Sequence, residues 1–260
     1  MPRLFASLAL LLAFALPSSA ADWKRIRIGV EGAYPPFSSL AANGTLQGFD
    51  IDIARALCAE LNAECQLVQS PFDGMIPALQ AKKFDAIVAS MSITDERRKA
   101  VDFTVRYYNT PNRFVAKKGA GLAVTPAGLK GKKIGVQRAT IHDRYLTELY
   151  KGSQIVRYSK QDEAFLDLAS GRIEATLVDQ VAASHGFLKT GAGKDFEFVG
   201  PPLEDPKYFG YGSGIAVRKS DTDLRANLDG AIAAIRANGT YKRIQDKYFD
   251  FDIYGKAPSP

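Results

Sequence analysis

The chain has 260 residues, 46% of them hydrophobic, and a formal net charge of +6 at pH 7. Its Lys and Arg residues are scattered among acids and form only short clusters, such as residues 97–99 and 130–133. This pattern favours a solvated basic surface and argues against a nucleic-acid partner. The length suits two modest domains or one large one.

Residues 1–20 have the pattern of a secretory signal. Arg3 supplies a positive charge, Leu4–Leu16 form an apolar segment, and small residues follow up to Ala20. The apolar segment is too short to cross a bilayer comfortably. We therefore expect cleavage after Ala20, or after Ala21, and an exported chain with no membrane insertion. An uncleaved anchor is the alternative.

The first predicted α/β unit begins with a strand over Arg25–Val30. Asp50 is predicted to cap a helix that places the apolar side chains of Ile51, Ala54, Leu57, Cys58 and Leu61 on one face. The elements that follow are a strand over Cys65–Val68, a helix over Gly74–Lys82 and a buried strand over Phe84–Ala89. Strands that alternate with helices indicate a parallel sheet covered on both faces.

Cys58 and Cys65 are the two cysteines of the chain. In an oxidising compartment such a pair favours a disulfide over a nucleophile. No His lies near them to complete a zinc site, so we expect no metal. Because the loop is short, a bond between them would add about 2.5 kcal/mol of stability at most.

The segment Ser90–Arg97 carries the strongest local signal for a binding site. It follows the end of the predicted strand, and Thr94 is predicted to cap a short helix that contains Arg97. A guanidinium, two Ser hydroxyls and free backbone N–H groups are what a small carboxylate needs. The alternative is an ordinary capped helix with a solvated Arg.

A second α/β unit of similar size is predicted further along the chain. Its elements are a strand over Ile134–Gln137, a helix capped by Thr140, a strand over Ile155–Tyr158, a helix over Asp162–Ser170, a strand over Glu174–Val178 and a helix over Gln180–Leu188. A strand over Tyr211–Arg218 and helices over Asp223–Ala237 and Thr240–Tyr248 complete the pattern. We expect two lobes, joined by crossings near Tyr108–Phe114 and Asp205–Tyr211.

Polar side chains recur where predicted strands end. Glu31 follows the first strand, Ser90 and Ser92 follow the third, and Thr140 and Asp179 follow strands of the second unit. Ligands of open α/β sheets bind beyond the carboxyl ends of the strands. Two lobes whose strand ends face each other would enclose a small-ligand cleft.

Several stretches of the chain resemble the periplasmic amino-acid-binding proteins of ABC importers. The resemblance covers the chain after the signal and is closest to the lysine/arginine/ornithine and histidine branch, above all to its arginine/ornithine-binding members. The segments that carry it are Glu31–Phe37, Gly48–Asp52, Ser90–Arg97, Gly171–Ile173, Ala182–Lys189 and Tyr248–Gly255.

The resemblance implies a two-lobed α/β fold of the type II periplasmic binding protein class. Each lobe would be a mixed, mostly parallel sheet flanked by helices, and two hinge crossings would join the lobes. Residues 21–110 with 207–260 would form the first lobe, and residues 111–206 the second. The resemblance also implies a Cys58–Cys65 disulfide, which is found in this branch.

The resemblance further implies a role for individual residues. Arg97, with Ser92 and the backbone near Ser90, would hold the α-carboxylate of an amino acid. Asp179, helped by the region of Ser90 and Thr140, would hold its α-ammonium group.

The remaining implied roles concern the ligand side chain. Tyr34 and Phe72 would enclose its aliphatic part, and Glu31 would face its distal cation. The full predicted ligand-binding set is Glu31, Tyr34, Phe72, Ser90, Met91, Ser92, Arg97, Gln137, Thr140 and Asp179.

Four residues depart from the pattern of the branch. Glu31 replaces the more common Asp, Ala89 replaces a Ser, Ile141 replaces a Thr, and Gln137 stands where several members have Leu. Glu is one methylene longer than Asp, and Ile lacks a hydroxyl. These changes bear on which amino acid binds rather than on whether one does.

The leading hypothesis is a periplasmic, monomeric capture protein that needs no cofactor and is not an enzyme. It would bind a basic L-amino acid, arginine or ornithine and alternatively lysine or histidine, and deliver it to an inner-membrane ABC permease complex. An opine or a polar uncharged amino acid is an alternative ligand. A periplasmic dehydratase-like enzyme is the alternative function, with His142 and His185 the two histidines available for catalysis. A soluble, ligand-loaded partner of a receptor is a third alternative.

Overall fold

The computed structural model describes residues 23–255. The predicted secretory signal over residues 1–20 therefore lies outside the described residues. Within residues 23–255, every helix is either too short or too polar to cross a bilayer.

Thirteen strands are present among the described residues. They are β1 (Arg25–Val30), β2 (Ala33–Tyr34), β3 (Ser38–Leu40), β4 (Leu46–Gln47), β5 (Glu64–Gln69), β6 (Ala86–Ile87), β7 (Asp102–Tyr108), β8 (Asn112–Lys117), β9 (Lys133–Gln137), β10 (Gln154–Tyr158), β11 (Ala175–Asp179), β12 (Phe196–Leu203) and β13 (Ser213–Val217).

Nine α-helices are present in this part of the chain. They are α1 (Phe49–Glu60), α2 (Met75–Gln80), α3 (Asp95–Arg98), α4 (Ile141–Leu149), α5 (Gln161–Ala169), α6 (Gln180–Ala183), α7 (Pro206–Phe209), α8 (Thr222–Ala237) and α9 (Thr240–Tyr248). A 3₁₀ turn over Phe72–Gly74 precedes α2, and a π-helical turn over Ser184–Leu188 continues α6.

The strands form two five-stranded sheets and a small three-stranded one. The first sheet has the order β5-β1-β6-β13-β7, and the second has the order β10-β9-β11-β8-β12. In the first sheet only β13 is antiparallel to its neighbours, and in the second sheet only β8 is. Each sheet is therefore mixed and mostly parallel, as expected. We call the parts built on these sheets the first lobe and the second lobe.

The chain passes between the two sheets twice. It leaves the first lobe after Tyr108 and enters the second at Asn112, the start of β8. It returns between Leu203, the end of β12, and Ser213, the start of β13. After α9, the chain packs back onto the first lobe, where the backbone N–H of Asn109 donates to Ile253 O. Both passages thus lie beside the region where the lobes face each other.

Aromatic rings pack tightly in the core of the first lobe. Phe37 stacks on Tyr108 with ring centroids 4.7 Å apart, and Phe49 contacts Phe249 edge-to-face at 5.2 Å. Tyr34 extends the stack, with its ring 6.0 Å from that of Phe37. Because such rings bury large apolar areas in defined geometries, they hold the loop after β1 rigidly against the lobe.

The prediction that Asp50 caps the first helix is wrong. Gly48 is the N-cap of α1, with φ 126°, and a Cβ there would lie 2.4 Å from Phe37 O. Only glycine fits this close approach at a positive φ. Asp50 instead lies in the first turn, where its side chain is fully buried.

The predicted strand over Phe84–Ala89 is shorter than expected. Regular pairing covers only β6, although the N–H groups of Asp85 and Val88 still donate to carbonyls of β1. The segment then turns at Ser90, which has a φ of 53°. A non-glycine residue in this left-handed region is uncommon. This turn redirects Ser90 and the residues after it towards the second lobe.

Candidate functional site

A cavity lies where the carboxyl ends of the parallel strands of the two lobes face each other. Nine of the ten predicted ligand-binding residues line it: Glu31, Tyr34, Phe72, Ser90, Ser92, Arg97, Gln137, Thr140 and Asp179. The other lining residues are Ala89, Tyr108, Asn109, Thr110, Asn112, Ile141, His142, Phe209, Gly212 and Ser213.

Met91 is the predicted residue that does not line the cavity. Its side chain is 1% exposed and packs in a hydrophobic cluster of the first lobe with Met75 and Phe103. Its backbone carbonyl accepts a hydrogen bond from Gly214 N at 3.0 Å. The structure thus places Met91 behind the segment that carries Ser90 and Ser92.

Arg97 is held by the short segment that the sequence singled out. Thr94 caps α3 as predicted, because its Oγ1 accepts from Arg97 N at 3.2 Å. The Arg97 guanidinium donates to Ser92 O at 3.0 Å and, across the cleft, to Ala139 O at 3.4 Å. Its carbon Cζ lies 5.4 Å from the centre of the Phe72 ring.

Burial lowers the pKa of Arg97 to about 10, and the charge of Arg144 adds to this shift. The guanidinium therefore stays protonated in neutral solution. None of the residues in 23–255 forms an ion pair with it at 4.0 Å or less. A guanidinium that lines a cavity and forms no ion pair within residues 23–255 is suited to a ligand carboxylate.

Ser90 is connected to a buried acid below the cavity. Its hydroxyl donates to Asp50 Oδ2 at 2.9 Å, and its backbone N–H donates to the Tyr107 hydroxyl at 3.1 Å. Tyr107 in turn donates to Asp50 Oδ1 at 2.8 Å. Burial raises the pKa of Asp50 to about 7, although these hydrogen bonds oppose the shift. The network holds the strained turn at Ser90, and the sequence did not indicate this role of Asp50.

Asp179 lines the cavity at the end of β11. Its Oδ1 caps α6 by accepting from Val181 N and Ala182 N, at 2.8 and 2.9 Å. Its Oδ2 accepts a hydrogen bond from Thr110 Oγ1. Burial raises the pKa of Asp179 to about 6. Asp179 thus combines the role of a helix cap with a carboxylate that faces the ligand space.

Glu31 and Gln137 meet across the cleft. Gln137 Nε2 donates to Glu31 Oε1 at 2.5 Å, which joins the end of β9 in the second lobe to the residue after β1 in the first. The backbone carbonyl of Glu31 is held by Gln69 Nε2 at 3.0 Å. Burial raises the pKa of Glu31 from 4.5 to about 7, although the hydrogen bond from Gln137 opposes the shift.

Arg97 and Glu31 lie at different edges of the cavity. Arg97 also lines an outer groove with Arg144, whereas Glu31 also lines a second groove with Lys160. We call these regions the Arg97 edge and the Glu31 edge. The cavity therefore presents a cation at one edge and a buried acid at the other.

Two of the ten lining residues outside the predicted set, His142 and Asn112, contact each other. His142 Nε2 lies 2.7 Å from Asn112 Oδ1, and Asn112 Nδ2 donates to Leu203 O at 3.3 Å. Burial lowers the pKa of His142 to about 3, and the charge of Arg97 adds to the shift. The neutral imidazole thus donates from Nε2 to Asn112. Asn112 begins a strand without any local motif, so no sequence pattern could have singled it out.

Thr140 and the cysteines have mainly structural contacts. Thr140 caps α4, since its Oγ1 accepts from Asp143 N at 3.2 Å and donates to Gln137 O at 2.7 Å. The Cys58–Cys65 disulfide is confirmed, and the two Cα atoms are 5.6 Å apart. Neither cysteine lines the cavity.

This architecture defines the class of protein. Each of the two lobes is a mixed β-sheet flanked by helices, and the chain passes from one lobe to the other twice. A polar cleft lies between the lobes, as in the type II periplasmic binding fold. The chain belongs to the bacterial extracellular solute-binding proteins, family 3, and the match covers residues 26–251.

Curated relatives agree with this assignment. The chain is 56% identical to the L-arginine-binding protein of Pseudomonas aeruginosa over 243 residues, which are 93% of each chain. It is 46% identical to the histidine-binding periplasmic protein of Salmonella typhimurium, over 98% of this chain and all of that one. These relatives carry names of binding proteins rather than of enzymes.

The fold is shared with a solved structure of an ancestral arginine-binding protein bound to arginine. The TM-score is 0.81 at 35% identity, over 87% of this chain and 98% of that one. The predicted fold class and the resemblance to amino-acid-binding proteins are both confirmed.

Proposed function

We propose that this protein captures a basic L-amino acid in the cleft between its lobes. The observation that carries the proposal is the arrangement of charge in one cavity. The guanidinium at the Arg97 edge forms no ion pair within residues 23–255, and a buried carboxylate lies at the Glu31 edge. An α-amino acid with a cationic side chain has the complementary charges at its own two ends. Burying these charges is favourable only where each meets a partner.

Each end of the ligand then has a defined partner. Arg97 holds the α-carboxylate, with help from Ser92 and the backbone near Ser90. Asp179 holds the α-ammonium group, and Glu31 faces the distal cation. Tyr34 and Phe72, which line the cavity, flank the aliphatic part of the ligand side chain.

Closure follows from where these groups lie. Arg97 and Glu31 belong to the first lobe, while Asp179 and Gln137 belong to the second, so one ligand contacts both. The segments between Tyr108 and Asn112 and between Leu203 and Ser213 act as the hinge, with residues 111–206 moving as one lobe against the rest. In the periplasm, the closed, ligand-loaded protein then delivers the amino acid to an ABC importer.

Calorimetry against a small panel tests this function. We expect arginine and ornithine to bind and agmatine, which is arginine without its α-carboxylate, to bind at least about tenfold more weakly. Binding of agmatine as tight as that of arginine would contradict the role of Arg97. The N-terminal sequence of protein purified from the periplasm tests export, and we expect it to begin at Ala21 or Asp22.

A polar uncharged amino acid is the second candidate ligand. The pKa of Glu31 is about 7, so a large fraction of this side chain is neutral near neutral pH. A neutral carboxyl can donate to an amide oxygen as well as accept from an amide N–H. Glutamine therefore belongs in the same panel. Tighter binding of glutamine than of arginine at pH 8, where Glu31 is ionised, would select this candidate.

A further inference from the structure

Gln137 is a buried amide at the point where the two lobes meet. Its side chain is 2% exposed, and Glu31, its partner across the cleft, is 6% exposed. Both residues line the cavity at the Glu31 edge. A buried polar group requires hydrogen-bond partners, so the use of each polar atom of this pair can be accounted for.

The two N–H groups of the Gln137 amide are already used. Nε2 donates to Glu31 Oε1 at 2.5 Å and to Ser159 O at 3.2 Å. These two acceptors determine the orientation of the amide, so that its oxygen Oε1 can only be an acceptor. Within residues 23–255, neither Gln137 Oε1 nor Glu31 Oε2 receives a hydrogen bond. Each lobe therefore contributes, from a residue that lines the cavity, one acceptor that has no donor within residues 23–255.

We propose that Gln137 is a specificity-determining residue through which the second lobe recognises the distal group of the ligand, and that this group is a guanidinium rather than an ammonium. The inference rests on the proposed function. In the bound state, Gln137 Oε1 and Glu31 Oε2 accept separate N–H groups of one guanidinium.

The shape of the distal group is the reason for this preference. A guanidinium carries five N–H groups on three nitrogens in one plane, and it can reach acceptors on two sides at once. An ammonium presents all its donors from a single nitrogen. Glu31 supplies the charge for either group. The neutral oxygen of Gln137 adds a second acceptor on the other lobe, and a planar guanidinium can donate to both acceptors at once.

Calorimetry with arginine and ornithine on Gln137→Leu tests the proposal. We expect the affinity for arginine to fall at least about tenfold and that for ornithine to fall less than about threefold. Gln137→Met keeps the length of the side chain and replaces Leu if the first variant does not fold. Gln161→Leu is the matched control, because Gln161 is a buried amide of the same lobe that bonds Thr176 and does not line the cavity.

The outcomes separate this inference from the proposed function. An equal loss of arginine and ornithine affinity in Gln137→Leu would show a merely structural role and overturn the inference. Wild-type protein provides a test without any variant, because arginine should bind more tightly than ornithine. The reverse order would overturn the inference while leaving capture of basic amino acids intact. Wild-type protein that binds no amino acid would instead remove the proposed function.

Discussion

The two edges of the cavity are built in different ways. At the Arg97 edge, a turn at positive φ, a helix cap and a guanidinium lie within the eight residues from Ser90 to Arg97. At the Glu31 edge, the central hydrogen bond joins two residues that are 106 positions apart and belong to different lobes. The difference fits the proposed roles, in which one local segment holds a group common to all amino acids and the ligand side chain is selected where the lobes meet.

The largest effect is expected at the Arg97 edge. Arg97→Ala should abolish binding of every amino acid, because loss of a charged partner in a desolvated cleft costs on the order of 3–5 kcal/mol. Calorimetry with arginine and glutamine measures it. Arg98→Ala is the matched control, since Arg98 is exposed and lies 3.8 Å from Asp102. Binding by Arg97→Ala within a few-fold of wild type would mean that the carboxylate is held elsewhere.

A more selective effect is expected at the Glu31 edge. Glu31→Gln keeps the shape of the side chain and removes its charge, so arginine affinity should fall more than about tenfold, or about 1.4 kcal/mol. Glutamine affinity should change little. Glu64→Gln, at an exposed position near Arg25, is the control. A uniform loss for charged and neutral ligands would contradict the contrast between the two edges.

The pH dependence of binding sharpens the same contrast. The pKa of Glu31 is raised to about 7, so this side chain takes up a proton below pH 7 in the free protein, whereas a bound cation favours its ionised form. The ratio of arginine to glutamine affinity should therefore fall as pH drops from 8 to 6, by at most about tenfold per pH unit. Parallel titrations by calorimetry give the ratio. A constant ratio would place Glu31 away from the distal cation.

The ligand-free protein should become more stable as pH drops, whereas its relative affinity for arginine should fall. Asp50 and Glu31 have pKa values raised to about 7 by burial, so the folded state binds protons that the unfolded state releases. Their contribution to stability is fully present below pH 4 and is lost as pH rises through 7. Denaturant titrations at pH 5 and pH 8 should give the higher free energy of unfolding at pH 5. Asp50→Asn should reduce that difference, whereas an unchanged difference would contradict the shift at Asp50.

The smallest effect on binding is expected from the disulfide. Cys58 and Cys65 lie outside the cavity and close a loop with a sequence separation of 7. Reduction should lower the free energy of unfolding by about 2.5 kcal/mol at most and leave the order of ligand affinities unchanged. Mass spectrometry of native material should find no free thiols. A changed ligand order after reduction would show that the first lobe transmits strain to the site.

Local chemistry explains why much of the fold could be predicted. Alternating strands and helices indicated two α/β units, and the caps Thr94 and Thr140 are confirmed. A cap is a hydrogen bond between residues three positions apart, so the sequence contains all of it. The helix cap at Gly48 was missed, because its close approach to Phe37 O depends on a neighbouring loop.

What the sequence by itself determined is therefore the alternation of strands and helices in two units and the local segment that carries Arg97. The tertiary structure decided which distant side chains form hydrogen bonds with each other: Glu31 with Gln137, Asp50 with Ser90 and Tyr107, and His142 with Asn112. The residues of each pair are 30 to 106 positions apart in the sequence, and only the folded arrangement of the two sheets brings them together. Burial then raises the pKa values of the acids, because desolvation acts on a group only after the whole fold has formed around it.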